Sequence, residues 1–277
     1  MATANSFGRI SKVSFLAGPS NGGTILKELF FEAPYKIIRP FPLSDGMIRV
    51  MLMSASAGIM AGDEQEFSIR VESGAKIEFI SQSYEKIHQM EEGEAVRRTV
   101  VTVEPSATCI FNPQPTIPFA DSAFVNKTDV YLADGTSNFI MSEILCCGRA
   151  VRDELFQYKK YHNLVHIYRG ERLVYRDNSI FNPERYNMSG FGMYEKFTHM
   201  GNIFISKFLD INESEFETSL LHLLQEEQNR LNVEERVFEG VFTRLESGDY
   251  VVRLFGMRAQ VLEECIQRIL SENSTTY

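Results

Sequence analysis

Ser81-Gln82-Ser83-Tyr84-Glu85-Lys86-Ile87-His88 places hydroxyl, amine and imidazole groups in one short segment, the raw material of a nucleophile and its base. A β-fold hydrolase using Ser83, Lys86 and His88 is therefore one reading. Proximity in sequence supports it weakly, because nucleophile and base must meet in space and be oriented by a third group. Neither serine sits in a G-x-S-x-G elbow, and no S-D-N or K-T-G motif accompanies them. His162 and His166 have the H-x-x-x-H spacing that holds a metal on a helix. The Tyr, Phe and Val residues around them favour a strand instead, where i and i+4 lie about 13 Å apart. Cys146 and Cys147 would point to opposite faces of a strand, so buried free thiols are expected. Ala17-Gly18-Pro19-Ser20-Asn21-Gly22-Gly23-Thr24 lacks the G-K-[ST] ending of a phosphate loop and reads as a turn. Gly190-x-Gly192 has neither a third glycine nor a βαβ context.

Two acids interrupt apolar runs. Ala57-Gly58-Ile59-Met60-Ala61-Gly62-Asp63 is either a tight turn whose amides Asp63 caps or a functional carboxylate set beside an apolar wall. In Ser142-Glu143-Ile144-Leu145-Cys146-Cys147-Gly148-Arg149 a buried Glu143 needs a partner, and Arg149 is the sensible candidate for a structural ion pair.

The elements that must position these residues are mostly strands. Runs of β-branched and aromatic residues at 24–31, 47–53, 97–103, 124–132, 139–146 and 173–180 are bounded by Gly, Pro, Asn, Asp and Ser. Residues 66–71 alternate, and with the turn Glu72-Ser73-Gly74 and residues 76–79 they predict a hairpin with one buried face. No helix separates these strands, which argues against an α/β fold and leaves a sandwich, barrel or solenoid. No convincing repeat of 20 to 50 residues is visible. Near Asn212 the period changes: Asn212 is placed to cap a helix carrying Phe216, Leu220, Leu223, Leu224 and Leu231, and a second helix carries Val261, Leu262, Cys265, Ile266, Ile269 and Leu270. The expected organisation is one domain, 1–277, β-rich over 10–208 and helix-strand-strand-helix over 212–272.

Composition narrows the function. Hydrophobic residues at 44% and charged residues at 23% over 277 residues suit a packed core. Twenty-eight Lys and Arg against 37 Asp and Glu give a net charge of −9, the wrong sign for nucleic acid or an anionic membrane. Four cysteines without a C-x-x-C pair fit a reducing cytoplasm. Residues 1–9 carry no secretory signal pattern, and the longest uncharged apolar run, 51–62, falls short of the ~20 residues that span a bilayer.

Several of these motifs occur together in one known family. Gly62-Asp63, Ser81-Gln82-Ser83 with Lys86 and Ile87, Pro113-Gln114-Pro115 with Ile117 and Phe119, Glu143, Gly148-Arg149 and Glu154-Leu155-Phe156 resemble, in order and spacing, the urease accessory proteins called UreD, or UreH in some bacteria. Pro34-Tyr35-Lys36, Arg39-Pro40-Phe41, Tyr175-x-Asp177-Asn178 and Tyr194-x-x-Phe197-Thr198-His199 extend the likeness over roughly 30–200. Ala61 and His88 depart from the common pattern, and Ser81-Gln82-Ser83 is most like the UreH branch.

The resemblance implies a mainly β fold, two layers of strands in a right-handed superhelical, β-helix-like arrangement with two helices towards the C-terminus. It implies a cytoplasmic scaffold and nickel metallochaperone, not an enzyme. Such a chain binds UreF directly and the GTPase UreG through UreF, in a 2:2:2 complex, and serves apo-urease. GTP then belongs to the partner, and nickel is in transit. Affinity alone discriminates nickel poorly from copper and zinc, so passing the ion inside an assembly has a physical reason. On this reading Asp63, His88 and Glu143 line or mouth an internal nickel path. Gln114, Ile117 and Phe119 sit in a Pro-rich loop that either packs on a partner or shapes a surface turn.

Overall fold

The computed structural model describes residues 10–206, 212–232 and 237–274. The leading residues 1–9 and the end of the expected β region, residues 207–208, lie outside the described residues. Alternation of apolar and polar residues gives β1 (Ile10–Ser20), β2 (Gly23–Phe31), β3 (Tyr35–Ile37), β4 (Phe41–Pro42), β5 (Ile48–Ser54) and β6 (Glu64–Val71). These are followed by β7 (Lys76–Ser81), β8 (Glu85–Ile87), β9 (Ala95–Val103), β10 (Thr108–Phe111), β11 (Thr116–Pro118) and β12 (Ala123–Leu132). The remaining elements are β13 (Asn138–Cys146), β14 (Lys160–Arg169), β15 (Arg172–Phe181), β16 (His199–Ile205), α1 (Glu213–Leu231), β17 (Phe238–Arg244), β18 (Tyr250–Gly256) and α2 (Ala259–Ser274).

Two sheets result. One has the order β15-β14-β12-β9-β6-β1-β2, and the other runs β17-β18-β16-β13-β10-β7-β5-β3 with β4, β8 and β11 attached at its side. Between β5 and β14 the long strands alternate between the sheets, and each is parallel to the next one in its own sheet. Antiparallel pairs close this parallel run at its ends: β1 with β2 and β14 with β15 in one sheet, β3 with β5 and β13 with β16 in the other.

The expected hairpin at 66–79 is corrected by this topology. β6 and β7 lie in different sheets, and the Glu72-Ser73-Gly74 turn is a corner between layers. The corner repeats: Glu72 N–H donates to Ala17 O, Glu104 N–H to Val71 O, and Ala133 N–H to Val103 O, so successive corners stack in register. Both strands flanking the corner bury a face, as a hairpin would, but each buries it against the opposite layer.

Facing side chains of the two sheets form the core. Val13, Phe15, Phe67, Ile69, Val101 and Val130 meet Val50, Ile77, Phe79, Phe111, Phe139 and Met141. The other face of the second sheet, with Ile140, Ile144, Cys146, Ile203 and Val252, is covered by Leu220, Leu223 and Leu224 of α1 and Leu262, Cys265, Ile266 and Ile269 of α2. The Asn212 side chain accepts from Ser214 N–H at 3.1 Å, capping α1. Asn212→Ala is expected to cost about 1 kcal/mol in chemical unfolding; an unchanged midpoint would show that α1 does not need its cap. Residues 271–274 continue α2. All four cysteines are free and buried.

Candidate functional site

Strand alternation decides what the interlayer space contains. Phe139 and Met141 of β13 face the opposite sheet while Ile140, Ile144 and Cys146 face the helices, so Glu143 points between the layers. The same parity turns Asn126 of β12, Asn163 of β14, Asp177 of β15, Asn202 of β16 and Arg253 of β18 inward. One end of the interlayer space is consequently apolar and the other polar. Asn163 Nδ2 donates to Glu143 Oε2 at 2.8 Å, and Asn126 Nδ2 donates to Glu143 Oε1 at 3.3 Å and to Asn163 Oδ1 at 2.8 Å. Arg253 pairs with Asp177 at 2.6 Å, and Ser179 Oγ donates to Asp177 Oδ1 at 2.6 Å.

Burial away from water pushes the Glu143 carboxyl up to about 7; the Asn163 hydrogen bond opposes this, nearby Asp177 adds to it, and Arg253 and Arg97 oppose it. The expected Glu143–Arg149 ion pair does not form. Arg149 lies beyond the end of β13 and pairs with Glu154 through Nε at 2.7 Å and through its terminal nitrogen. Two neutral amides hold Glu143, which leaves its charge without direct neutralisation.

The family-motif residues converge at the side of the second sheet. Asp63 Oδ2 accepts from Met60 N–H at 2.8 Å, the capped turn read from the sequence, and Gly62 N–H donates to Glu94 O in the same turn. Gly58, at φ +154°, backs onto the Lys86 carbonyl and the His88 ring, with no room for a Cβ. His88 Nε2 lies 3.0 Å from Ala57 O, which makes that nitrogen a donor, and the ring packs edge-on against Phe119 at 4.8 Å. Arg149 lies over the same Phe119 ring, 4.1 Å from its centroid. Gly148, at φ +137°, lets the backbone at Glu154 approach so closely that a Cβ would collide with its carbonyl.

Gln114, Ile117 and Phe119 do not form a free loop. Thr116–Pro118 is β11, pairing with β8 as Ile117 opposite Lys86, and Gln114 N–H donates to Ser81 Oγ at 2.8 Å. Pro115 and Pro118 are buried. Lys86 and Ser83 are exposed, and among the described residues no hydrogen bond joins Ser83, Lys86 and His88. His162 and His166 lie on β14, as expected, and bond outward to Asn178 and Asp129.

Three cavities run inward from this side. The outer one, about 370 Å³, is lined by Asp63, Gln65, Ser81, Ser83, Glu85 and Lys86. Behind it lies a cavity of about 50 Å³ that shares Ser81 and Glu85 with the first and adds Arg97, Gln114, Asn126 and Glu143. The innermost, about 20 Å³, shares Glu143 with the second and adds Asn163, Asp177 and Asn202. Asp63 is therefore on the outer cavity and Glu143 on both inner ones, while His88 stands beside Ala57 at the rim. Among the described residues no three His, Cys, Asp or Glu side chains gather to hold a metal ion. The oxygen-bearing wall was only partly visible in sequence. Asn126, Asn163 and Asn202 carry the missed signal, as polar residues at inward positions of otherwise apolar strands.

A sequence model described as UreD urease accessory protein matches residues 11–275. The chain belongs to the UreD family. The match reaches past the 30–200 span of the motifs and includes both helices. The UreD protein of Acetivibrio thermocellus is 40% identical over 200 residues, covering 72% of this chain and 76% of that protein. The UreH protein of Helicobacter hepaticus is 38% identical over 179 residues, 65% of this chain and 70% of the relative. That of Helicobacter pylori is 34% identical over 184 residues, 66% and 69% respectively. In this UreD-family chain, Gly62, Asp63, Lys86, Phe119, Gly148 and Arg149 are thus brought to one side of the molecule, whereas Glu143 faces its interior. Among the described residues, no helix is long and apolar enough to cross a membrane.

Proposed function

We propose that this UreD-family chain is a urease maturation factor that works as a scaffold and nickel metallochaperone rather than an enzyme. It joins UreF directly, and the GTPase UreG through UreF, to apo-urease in the cytoplasm, with a 2:2:2 core of the three accessory proteins. Nickel is cargo, GTP is bound by UreG, and the alternating parallel strands wind as a right-handed superhelix around the ion's route. The observation that carries the reading is the series of cavities from Asp63 to Glu143, in which carboxylate, amide and hydroxyl oxygens recur among apolar side chains. Oxygen donors hold nickel more weakly than imidazole or thiolate, so they suit passage rather than storage. Asp63 and His88 stand at the mouth and Glu143 inside.

Co-purification with UreF and UreG, weighed by light scattering and followed by activation of apo-urease with nickel and GTP, tests the scaffold. A soluble chain that neither binds UreF nor affects urease would refute it. Asp63→Asn, which keeps a side-chain oxygen for the Met60 amide, is expected to assemble normally and lower activation several-fold. His88→Phe, which keeps the packing on Phe119 but not the nitrogen, is expected to do the same. Full activation by either folded variant would remove that residue from the path.

A further inference from the structure

An internal cation, Arg97 of the middle cavity, is bound to the wall that the outer and middle cavities share. Glu85 lines both cavities, and its carboxylate accepts from both terminal nitrogens of Arg97, with Arg97 Nη2 to Oε1 at 2.6 Å. Arg97 Nε donates to Gln65 Oε1 at 2.8 Å, and the Tyr35 hydroxyl is near enough to act electrostatically on the guanidinium. The Arg97 side chain is only 12% exposed. Its guanidinium lies over Phe67 at 4.9 Å and Phe124 at 5.7 Å. Glu85 belongs to the wall common to the cavity of Asp63 and the cavity of Glu143, so a divalent cation moving between them by this wall meets the fixed positive charge of Arg97.

A carboxylate partly withdrawn from water, as Glu85 is, gains from a counter-charge, and a guanidinium supplies one in a planar bidentate geometry. A divalent cation supplies a stronger one to the same oxygens. We propose that Glu85 and Gln65 form a transient oxygen-donor site for a divalent cation, whose place Arg97 keeps between passages. The arriving ion exchanges with the guanidinium at Glu85, and Arg97 stays held by the faces of Phe67 and Phe124 while it is displaced. Once the ion has moved on to Glu143, Arg97 returns to Glu85 and prevents backflow. Arg97 therefore competes with the cargo, which keeps the site weak enough to release it.

This inference rests on the passage reading, and its test separates the two. Titration of the full chain with Ni²⁺ alone, by calorimetry, is expected to give at least tenfold tighter binding at one site for Arg97→Met than for the wild type. The gain should vanish in Arg97→Met/Glu85→Gln, and Arg97→Met should deliver nickel to apo-urease more slowly despite binding it better. Equal affinity in Arg97→Met and wild type would overturn the proposal. Should Arg97→Met fail to fold, the wild type carries the test: Ni²⁺ should broaden the Arg97 Nε–H nuclear magnetic resonance signal, and an unchanged signal at saturating Ni²⁺ would overturn it equally. If Glu143→Gln blocks activation but Arg97→Met binds no tighter, the passage stands without this site. If Arg97→Met gains affinity while Glu143→Gln activates fully, the site stands without the passage.

Discussion

Gly148→Ala is expected to lose about 3 kcal/mol of stability or more, with a fall in Tm of roughly 10 °C. The residue sits at φ +137°, where an L side chain is strained, and its added Cβ would drive into the Glu154 carbonyl, a backbone atom that cannot rotate away. Relief requires residues 149–154 to move, and that motion undoes a chain of contacts. Glu154 holds Arg149, Arg149 lies over Phe119, and Phe119 packs against His88. The Phe156 N–H to Cys147 O bond, 2.7 Å, closes the same loop and must lengthen. Gly135→Ala is the control, because nothing lies within 4 Å of its Cβ position and its φ is ordinary. Thermal unfolding of the two variants side by side decides the matter; equal midpoints would show that the 148–154 loop yields freely.

Glu143→Gln is expected to reduce urease activation at least tenfold while leaving the protein as stable as the wild type, or more stable, at pH 8. Glutamine keeps an oxygen for the Asn163 or Asn126 amide but removes the charge that a passing cation would meet. Stability moves the other way because the Glu143 carboxyl is raised to about 7 when folded, above its value in the unfolded chain. Between the ordinary carboxylate range and pH 7 the native state binds the extra proton. This group's contribution is therefore fully present at the acid end of that window and is lost as pH rises through it, by up to about 1.4 kcal/mol per pH unit. The difference between wild type and variant isolates this term from Asp177, Arg253 and Arg97, which face the same space. Chemical unfolding from pH 5 to pH 8 should show the wild type falling relative to Glu143→Gln. A flat difference would show that Glu143 is well solvated, and full activation by the variant would take it out of the path.

Strand positions and both helices were legible because period and caps are local. The run 124–132 became Ala123–Leu132, and Asn212 caps α1 as its side chain suggests. The corner at Glu72-Ser73-Gly74 was not legible as a corner, because Ser and Gly serve a hairpin and a change of layer equally well. A repeat was nonetheless written there: Val71-Glu72-Ser73-Gly74-Ala75 matches Val103-Glu104-Pro105-Ser106-Ala107, and Val71 lies beside Val103 in the sheet. Length variation in the excursions that carry β8 and β11 hides that period along the chain. Sequence distance also misled the pairing of Glu143. Arg149 is six residues away, but the chain leaves the interlayer space at the end of β13, and the true partners arrive from β12 and β14. The Asp63 turn was readable because its capping bond spans three residues; the Arg97–Glu85 pair was not, since its partners meet only through tertiary packing.

The antiparallel pairs at both ends of each sheet bear on how many molecules of this protein can associate. A stack of parallel strands joined by like corners is a template: its last coil presents the same surface as every coil before it, and a second molecule could continue the series indefinitely. Here β1 with β2 and β14 with β15 reverse the chain direction at the two ends of one sheet, as β3 with β5 and β13 with β16 flank the parallel run of the other. The outermost strands β2 and β15 run against their neighbours, and they carry Lys27, Glu28, Arg172 and Arg176. A second molecule would meet a strand running against the parallel series, with these charges set beside exposed Ile25, Leu29 and Phe30 on β2, and could not extend the series by repeating its parallel pairing.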